Sequence, residues 1–565
     1  MRLEINSFGG MAPLIDDTAL ADRLSTHAKN ARFDRGVLAP DAIAALQWSD
    51  YPDGTMAGTS IRSVSMPDPA NTRFGFVSPY GSTAFASPVA PIDTHGRVYF
   101  QRSVGPRFTT SAQYTPGSVV INPPNYRLGI PAPAQAPTIQ SVSVSDYARG
   151  GEPGDPAATD DPEWVDVAYV YTFVDAYGHE SAPSGTSPTI RIAYNREHFV
   201  TLNLLSSLPA EVNFTGGLSA VRLYRATFDG GSSVFQYVND HIVSQSYAED
   251  KVSIGLEAEE LVTTGWLPPP NWMTGLCLVG SSFAAGFVDH YICMSEVRLP
   301  HAWPTELQYP LRYLPLALLP MAAGLLIVTD GRPYWADGTD PHSAVPREIP
   351  VNAPCISGDS LVDLGGAAYY MSQEGVVRFS GQSAQVVSTQ FLDRTSIATL
   401  VDSTCKAFGH DDAYFFSTSD DRWMRFDTDF GLIEVDFGIA PSAVASISYS
   451  IRDGFHYLVL TDGRVRYVSP SVDAAAVEWD SKHWRTPPAA FSCVRVEADS
   501  YPVQINVRSQ YLAEGWQESG MLTIEGPHIA RLPSMVATLW QVQVRPPAYG
   551  EVFRVILAQS GREAS

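Results

Sequence analysis

The chain has 565 residues, 60 Asp and Glu against 37 Lys and Arg, and a formal net charge of −23. That length exceeds a single core and implies about two to four domains, while the charge excludes a protein that holds nucleic acid by neutralising phosphates. It leaves open a wall of like sign along which DNA slides. Gly and Pro number 43 each, aromatic residues make up 11%, and the apolar runs are short, so the class is all-β.

The opening, MRLEINSFGGMAP, lacks the apolar stretch of a secretory signal, and no run approaches the roughly 20 apolar residues of a membrane span. Folding in a reducing cytoplasm is the expectation. The dispersed Cys277, Cys293, Cys355, Cys405 and Cys493 agree, since they form no CxxC pair and read as small buried hydrophobes. Leu20, Leu24 and Ala28 stand four apart, with Asp16 or Asp17 available as a cap and Gly36 as a stop, which predicts a helix starting at residue 16. Strand runs divided by Pro and Gly fill the rest of 1–128. Among them, THGRVYFQRS from Thr94 resembles TDGRVRYVS from Thr461, so an N-terminal strand or blade is expected to complete a ring begun after residue 270.

PPNYRLGIPAPAQAPT from Pro123 reads as a stiff, extended linker. After it, 137–265 reads as a β-sandwich resembling a fibronectin type III module, with alternating strands, a turn at Tyr177 and Gly178, and a second turn at Gly230 and Gly231. The insert GGEPGDPAATDDPE from Gly150 has the composition of a mobile acidic loop and carries Glu152, Asp155, Asp160, Asp161 and Glu163. WLPPPNW from Trp266 marks the exit from this module.

Five stretches between Gly275 and Pro470 then share one plan: an apolar run, a tight polar turn and a second apolar or aromatic run, starting roughly 40 residues apart. GLLIVTDGRPYWADG from Gly324 and GFHYLVLTDGRVRYV from Gly454 are two of them. Residues 270–484 are accordingly expected to form blades of a β-propeller, which gain stability only by packing side by side. In both TDGR copies the Asp-Gly pair is expected to supply the positive φ values of a two-residue hairpin. Residues 485–565 suggest a terminal β-sandwich or barrel.

Constellations with chemical potential are few. DTDFG at Asp427 imitates a kinase metal motif without the other kinase elements. His410, Asp411 and Asp412, with Asp420, Asp421, Asp427 and Asp429, could bind a cation if their turns converged; solvated turns are the competing reading. No HExxH, GxSxG or other catalytic spacing occurs, so neither an enzyme nor a cofactor or metal is expected.

At the N-terminus, Phe8, Gly10, Ala12, Pro13, Ala28, Asn30, Gly36, Leu38 and Pro40 match a strand ending in an FxG-x-AP turn, a helix that carries A-x-N and a G-x-L-x-P stretch. A second block comprises PPPNWMTGL from Pro268, AAGFVDHYICMSEVRLPHAWP from Ala284 and VTDGRPYWADGTDP from Val328. Together they resemble the tail nozzle, or tail tubular, proteins of tailed bacteriophages. The resemblance implies a propeller with a fibronectin-like insertion and an exposed S-E-x-x-x-P-H-A-W-P segment linking two blades. It also implies a virion subunit in a ring, usually of six, whose partners are its own copies, an adaptor near the portal, tail fibres or spikes, and genomic DNA passing through. His301 and Trp303 become candidate contacts between blades or between subunits. Two alternatives stand beside this expectation. One is a host-surface carbohydrate-binding or depolymerising propeller using Trp335, Trp423, Trp479 or Trp484 as stacking platforms. The other is a hub or baseplate component of a long-tailed phage.

Overall fold

The computed structural model describes the chain apart from residues 42–46, 51–61, 66–73, 78–84, 87–94, 103, 114–118, 122–123, 150–154, 205–206, 216–217, 229–233, 256–258, 411, 450–455, 463–464, 470–475, 512–514 and 565. Residues 1–63, 313–336 and 346–565 make one compact unit, and residues 64–312 with 337–345 make a second. The protein is mostly β, and four-stranded antiparallel sheets recur along it, consistent with a β-propeller.

In the first unit, one such sheet is built on Gly324–Thr329 and a second on Ala367–Ser372 and Gly375–Ser380. In a third, Ala407–His410, Ala413–Ser417, Trp423–Asp427 and Gly431–Val435 form the antiparallel end of an 11-stranded sheet. Their inner strands, GLLIVT and AYFFS, are buried along their whole length, as strands covered on both faces must be. The fourth sheet holds Val444–Tyr449, His456–Leu460 and Val465–Ser469, and an N-terminal strand, Gln47–Asp50, completes it in antiparallel register. The segment expected in that position behaves differently. Its strand, Val98–Arg102, lies in the second unit between Gly105–Thr109 and Phe85–Ala86, while Thr94 and Ser103 lie outside the described residues.

The helix expected from residue 16 does not form. Residues 16–24 make isolated turns, Asp16 accepts from the Thr18 amide as a turn cap, and Ser25–Lys29 is a strand. Leu20, Leu24 and Ala28 are buried, as their spacing implied. Ala28, however, sits opposite Trp479, in a strand flanked by Glu478–Ser481 and Gly431–Val435. Backbone partners on both sides outweigh a weak local periodicity in a segment as rich in Ser, Thr and His as STHAK.

That strand carries the third sheet onward into the C-terminal strands Ala537–Arg545 and Val503–Gln510. Facing them is a sheet of Cys493–Ala498, Val552–Ala558, Ala530–Arg531 and the first strand of the chain, Arg2–Ile5, whose Arg2 lies opposite Ala558. One core fills the space between, with Ile505, Val507 and Val542 meeting Leu3, Val494 and Val555.

The Asp330–Gly331 turn also departs from expectation, because neither residue has a positive φ. Instead Thr329 closes the turn, its hydroxyl donating to the Arg332 carbonyl and accepting from the Gly331 amide. Glycine is needed there for room: a Cβ would run into the Tyr313 ring. The second TDGR turn lies partly outside the described residues.

The second unit contains the sheet Thr274–Val279, Phe283–Val288, Tyr291–Met294 and Gln308–Pro310, and the sheet built on Val98–Arg102. It also contains two sheets that share one core. Ile190–Ala193, Trp164–Val174, Ala220–Phe228 and Gln236–Ile242 form one, and Thr138–Ala148, Arg196–Asn203 and Tyr247–Asp250 form the other. Tyr171, Phe173 and Leu223 of the first pack on Val200, Leu202 and Ala248 of the second. The turn expected at Gly230 and Gly231 lies outside the described residues.

Candidate functional site

The segment 295–304 was expected to be exposed and to link two blades. Ser295 and Pro300 to Pro304 are buried, whereas Val297 and Arg298 at its tip are exposed, and the segment joins the third and fourth strands of one sheet, Tyr291–Met294 and Gln308–Pro310. Its prolines and a positive φ at Arg298 fold it back on itself, with Glu296 donating its amide to the Ala302 carbonyl and Arg298 donating to Ser282. The fold-back carries Trp303 inward. Its side chain is fully buried among Tyr99, Phe108, Leu128, Met273 and Cys293, and its indole N–H donates to the Pro300 carbonyl at 2.7 Å. Leu128 comes from the proline-rich stretch after residue 123, so that stretch is anchored in the same cluster, while Ile130 two residues on enters the sandwich core.

His301 is 5% exposed, and neither ring nitrogen has a hydrogen-bond partner. Its ring lies 4.4 Å from that of His179 and meets Trp266 edge-on at 5.6 Å. His179 bonds through Nδ1 to Asp175 at 2.9 Å and faces Arg97 through Nε2. An arginine can only donate, so His179 Nε2 accepts and its proton sits on Nδ1, toward the carboxylate. Burial pushes the His301 pKa well below its ordinary value, and His179 and Arg97 push the same way.

Of the acidic loop, Glu152 lies outside the described residues; Asp155, Asp160, Asp161 and Glu163 are exposed. The loop's second half is tied by its backbone to one turn. Asn195 donates to the Asp161 carbonyl and accepts from the Glu163 amide, Tyr194 donates to the Glu163 carbonyl, and Arg196 donates to the Asp160 carbonyl.

The cation constellation divides between opposite ends of one hairpin. Asp412 and Asp427 border a small cavity of about 60 Å³, whereas Asp420 pairs with Arg422 and Asp421 accepts from Ser442. Among the described residues, no group of three His, Cys, Asp or Glu side chains could hold a metal ion. The proposed stacking platforms Trp335, Trp423 and Trp479 are buried, and Trp484 is partly buried beneath Lys482. The five cysteines are free and buried, and no described helix is long and apolar enough to cross a membrane.

The matched N-terminal residues form a clasp. Gly10 donates to Phe430 and Met11 to Leu432, and a Cβ on Gly10 would strike the Leu432 carbonyl. Asn30, at φ 54, donates to the Ala476 carbonyl and accepts from the Asp436 amide. Gly36 accepts from Phe8, and Leu38 exchanges two backbone bonds with Val552. The segment thereby ties the strands at 407–435 to the C-terminal strands of the same sheet and to Val552 of the facing sheet. Beside it, Arg425 reaches Asp41 at 2.7 Å, with Asp41 only 3% exposed. A buried cluster that the residue pattern did not announce binds the two sheets that share one core: Asp250 Oδ2 accepts from Arg225 at 2.7 Å and from the Tyr169 hydroxyl at 2.8 Å, next to His198. Burial alone would raise the Asp250 pKa; His198 and Arg225 outweigh it and hold the carboxyl below its ordinary range.

No protein-family model matches the chain, and no curated protein does. Distant likenesses exist among solved structures of β-propeller proteins. Streptogramin B lyase aligns with a TM-score of 0.26 and 9% identity over 48% of this chain and 87% of that one. A structure of BBS1N in complex with ARL6DN gives 0.29 and 8% over 75% and 97%, and BamB from Moraxella catarrhalis gives 0.26 and 11% over 59% and 98%. Alignments this loose carry no argument about this chain.

Proposed function

We propose that this chain is a structural subunit of a bacteriophage tail nozzle, a ring that extends the DNA channel, retains the packaged genome and passes it at ejection. In this reading the two-sheet region is a fibronectin type III-like insertion in a propeller, and the C-terminal sheets form a terminal sandwich. The observation that carries the proposal is the clasp. The residue types shared with nozzle proteins at the N-terminus, Phe8, Gly10, Asn30, Gly36 and Leu38, are the ones whose backbone freedom and hydrogen bonds join one sheet to the C-terminal strands. A wall that must withstand packaged DNA needs such joints between modules.

The excess of carboxylates fits a lining along which DNA slides, since like charge keeps phosphates from adhering. Partners are then further copies of the chain, an adaptor toward the portal and the fibres or spikes of a virion assembled in the host cytoplasm. The test is imaging of the purified chain in negative stain, with immunogold labelling of phage particles. Rings with a central channel and label at the tail tip are expected. A chain that forms no ring, labels no tail and releases oligosaccharide from host-surface polysaccharide overturns the proposal in favour of a depolymerising propeller.

A further inference from the structure

Strand Thr138–Ala148 lies at the edge of its three-stranded sheet and pairs on one side only, with Arg196–Asn203. The opposite edge of the same sheet, Tyr247–Asp250, is closed by side chains: Asn239 donates to the Glu249 carbonyl, and the Glu249 amide donates to His241. Nothing comparable covers residues 141–145 among those described. Beyond Ser145 the edge is occupied, because Tyr147 bridges Ala157 and Ala158 donates to the Asp146 carbonyl.

The open stretch reads Ser141-Val142-Ser143-Val144-Ser145, identical in both directions. Register shifts lie between Ile139 and Ser141 and between Val144 and Ala148, the second taking in Ser145, so Ser141 to Val144 hold regular register. Val142 lies opposite Val200 and Val144 opposite His198, which places both valines on the inward face of the sheet. Val142 is nevertheless 39% exposed, for want of a strand beside it. Natural edges are usually guarded by Lys, Pro or inward charge; residues 138–145 contain no ionisable side chain and no proline.

We propose that this edge is a self-association surface, on which a second copy of the chain adds the same strand antiparallel about a two-fold axis at Ser143. In that register Val142 meets Val144 of the partner, Ser141 meets Ser145, and Ser143 meets itself, so every cross-strand pair joins like to like on the same face. The palindrome selects the occupant, because a second copy of the same strand meets it like to like about that axis. Two copies each carrying −23 repel over most of their surfaces, and an uncharged edge is where their backbones can approach. A two-fold contact cannot repeat around a polar ring, so the pairing belongs to the free chain; it does not rest on the nozzle reading.

The experiment is sedimentation equilibrium of the full chain over a range of concentrations, with Ser143→Lys, Ser143→Glu and their mixture. Ser143 is exposed on the outward face, so these changes leave the core untouched. The wild type is expected to show a monomer–dimer equilibrium. Each single variant, which sets like charges opposite each other on the axis, should weaken association by about tenfold or more, and the mixture should restore it. A wild type that stays monomeric throughout overturns the proposal and leaves the edge to a foreign strand. Dimerisation unchanged in both variants, or no recovery on mixing, overturns it equally.

Discussion

Phe8 and Trp479, near opposite ends of the chain, meet edge to face with ring centroids 4.9 Å apart, and the Trp479 indole N–H donates to the Gly9 carbonyl at 2.9 Å. Both side chains are fully buried in the core between the C-terminal sheets. The N-terminal clasp is therefore held by an aromatic pair as well as by its backbone bonds.

Replacing Phe8 with Ala removes that contact and leaves a cavity where the clasp meets the core. The loss should be about 3–5 kcal/mol, read from the denaturant midpoint at unchanged slope. A midpoint equal to that of the wild type would mean that the clasp contributes nothing to the stability of its unit.

The repeated four-stranded sheets were legible because each blade stretch pairs two apolar runs about a turn, a pattern that burial on both faces requires. The helix at residue 16 was misread because Leu20, Leu24 and Ala28 are buried for a different reason: the strand that follows is inserted between two others, and single-sequence periodicity cannot see partners hundreds of residues away. The same blindness hid Gln47–Asp50, Arg2–Ile5 and the Arg225–Asp250 pair, all of which depend on distant strands. Trp303 stands out in the sequence because an aromatic flanked by prolines is costly to leave idle. Its burial between strands of one chain came from Arg298 and the fold-back, which leave no periodic trace.

Trp303→Ala should lower the melting temperature of the isolated chain, since the indole fills the space among Tyr99, Phe108 and Met273. The expected cost is about 3–5 kcal/mol in the second unit. A variant that melts like the wild type but no longer assembles would instead give this side chain a role between subunits.

Asp250→Asn keeps the shape of the buried cluster and removes the carboxylate charge that the fully buried Arg225 guanidinium pairs with. Breaking a buried pair from one side costs about 3–5 kcal/mol. The checking measurement is hydrogen exchange across Arg196–Asn203 and Tyr247–Asp250, which should lose protection together. Unchanged protection would show that Tyr169 and His198 hold the sheets without the ion pair.

Duplex DNA should bind the free chain weakly, and added salt should weaken any residual binding further, because few phosphates can be neutralised by a chain with 37 basic residues against 60 acidic ones. Titration by fluorescence anisotropy near physiological salt checks this. Submicromolar affinity would rule out a sliding surface and indicate one that grips.

His301 gives the chain a pH dependence with a definite sign. Its folded pKa lies well below the ordinary 6.5, so the unfolded chain takes up a proton there that the folded chain refuses. Stability from this group is complete above about pH 6.5 and declines as pH falls toward the folded value, by roughly 1.4 kcal/mol per unit once well below 6.5. His456, lowered to about 4 by burial and by His410, acts in the same direction in the other unit. His301→Leu removes one titrating group while keeping an apolar side chain beside Trp266 and His179. Between pH 7.5 and 5.5 the melting temperature of this variant should fall less than that of the wild type. Parallel profiles would mean that the folded-back segment 295–304 opens locally and protonates His301 before the chain unfolds.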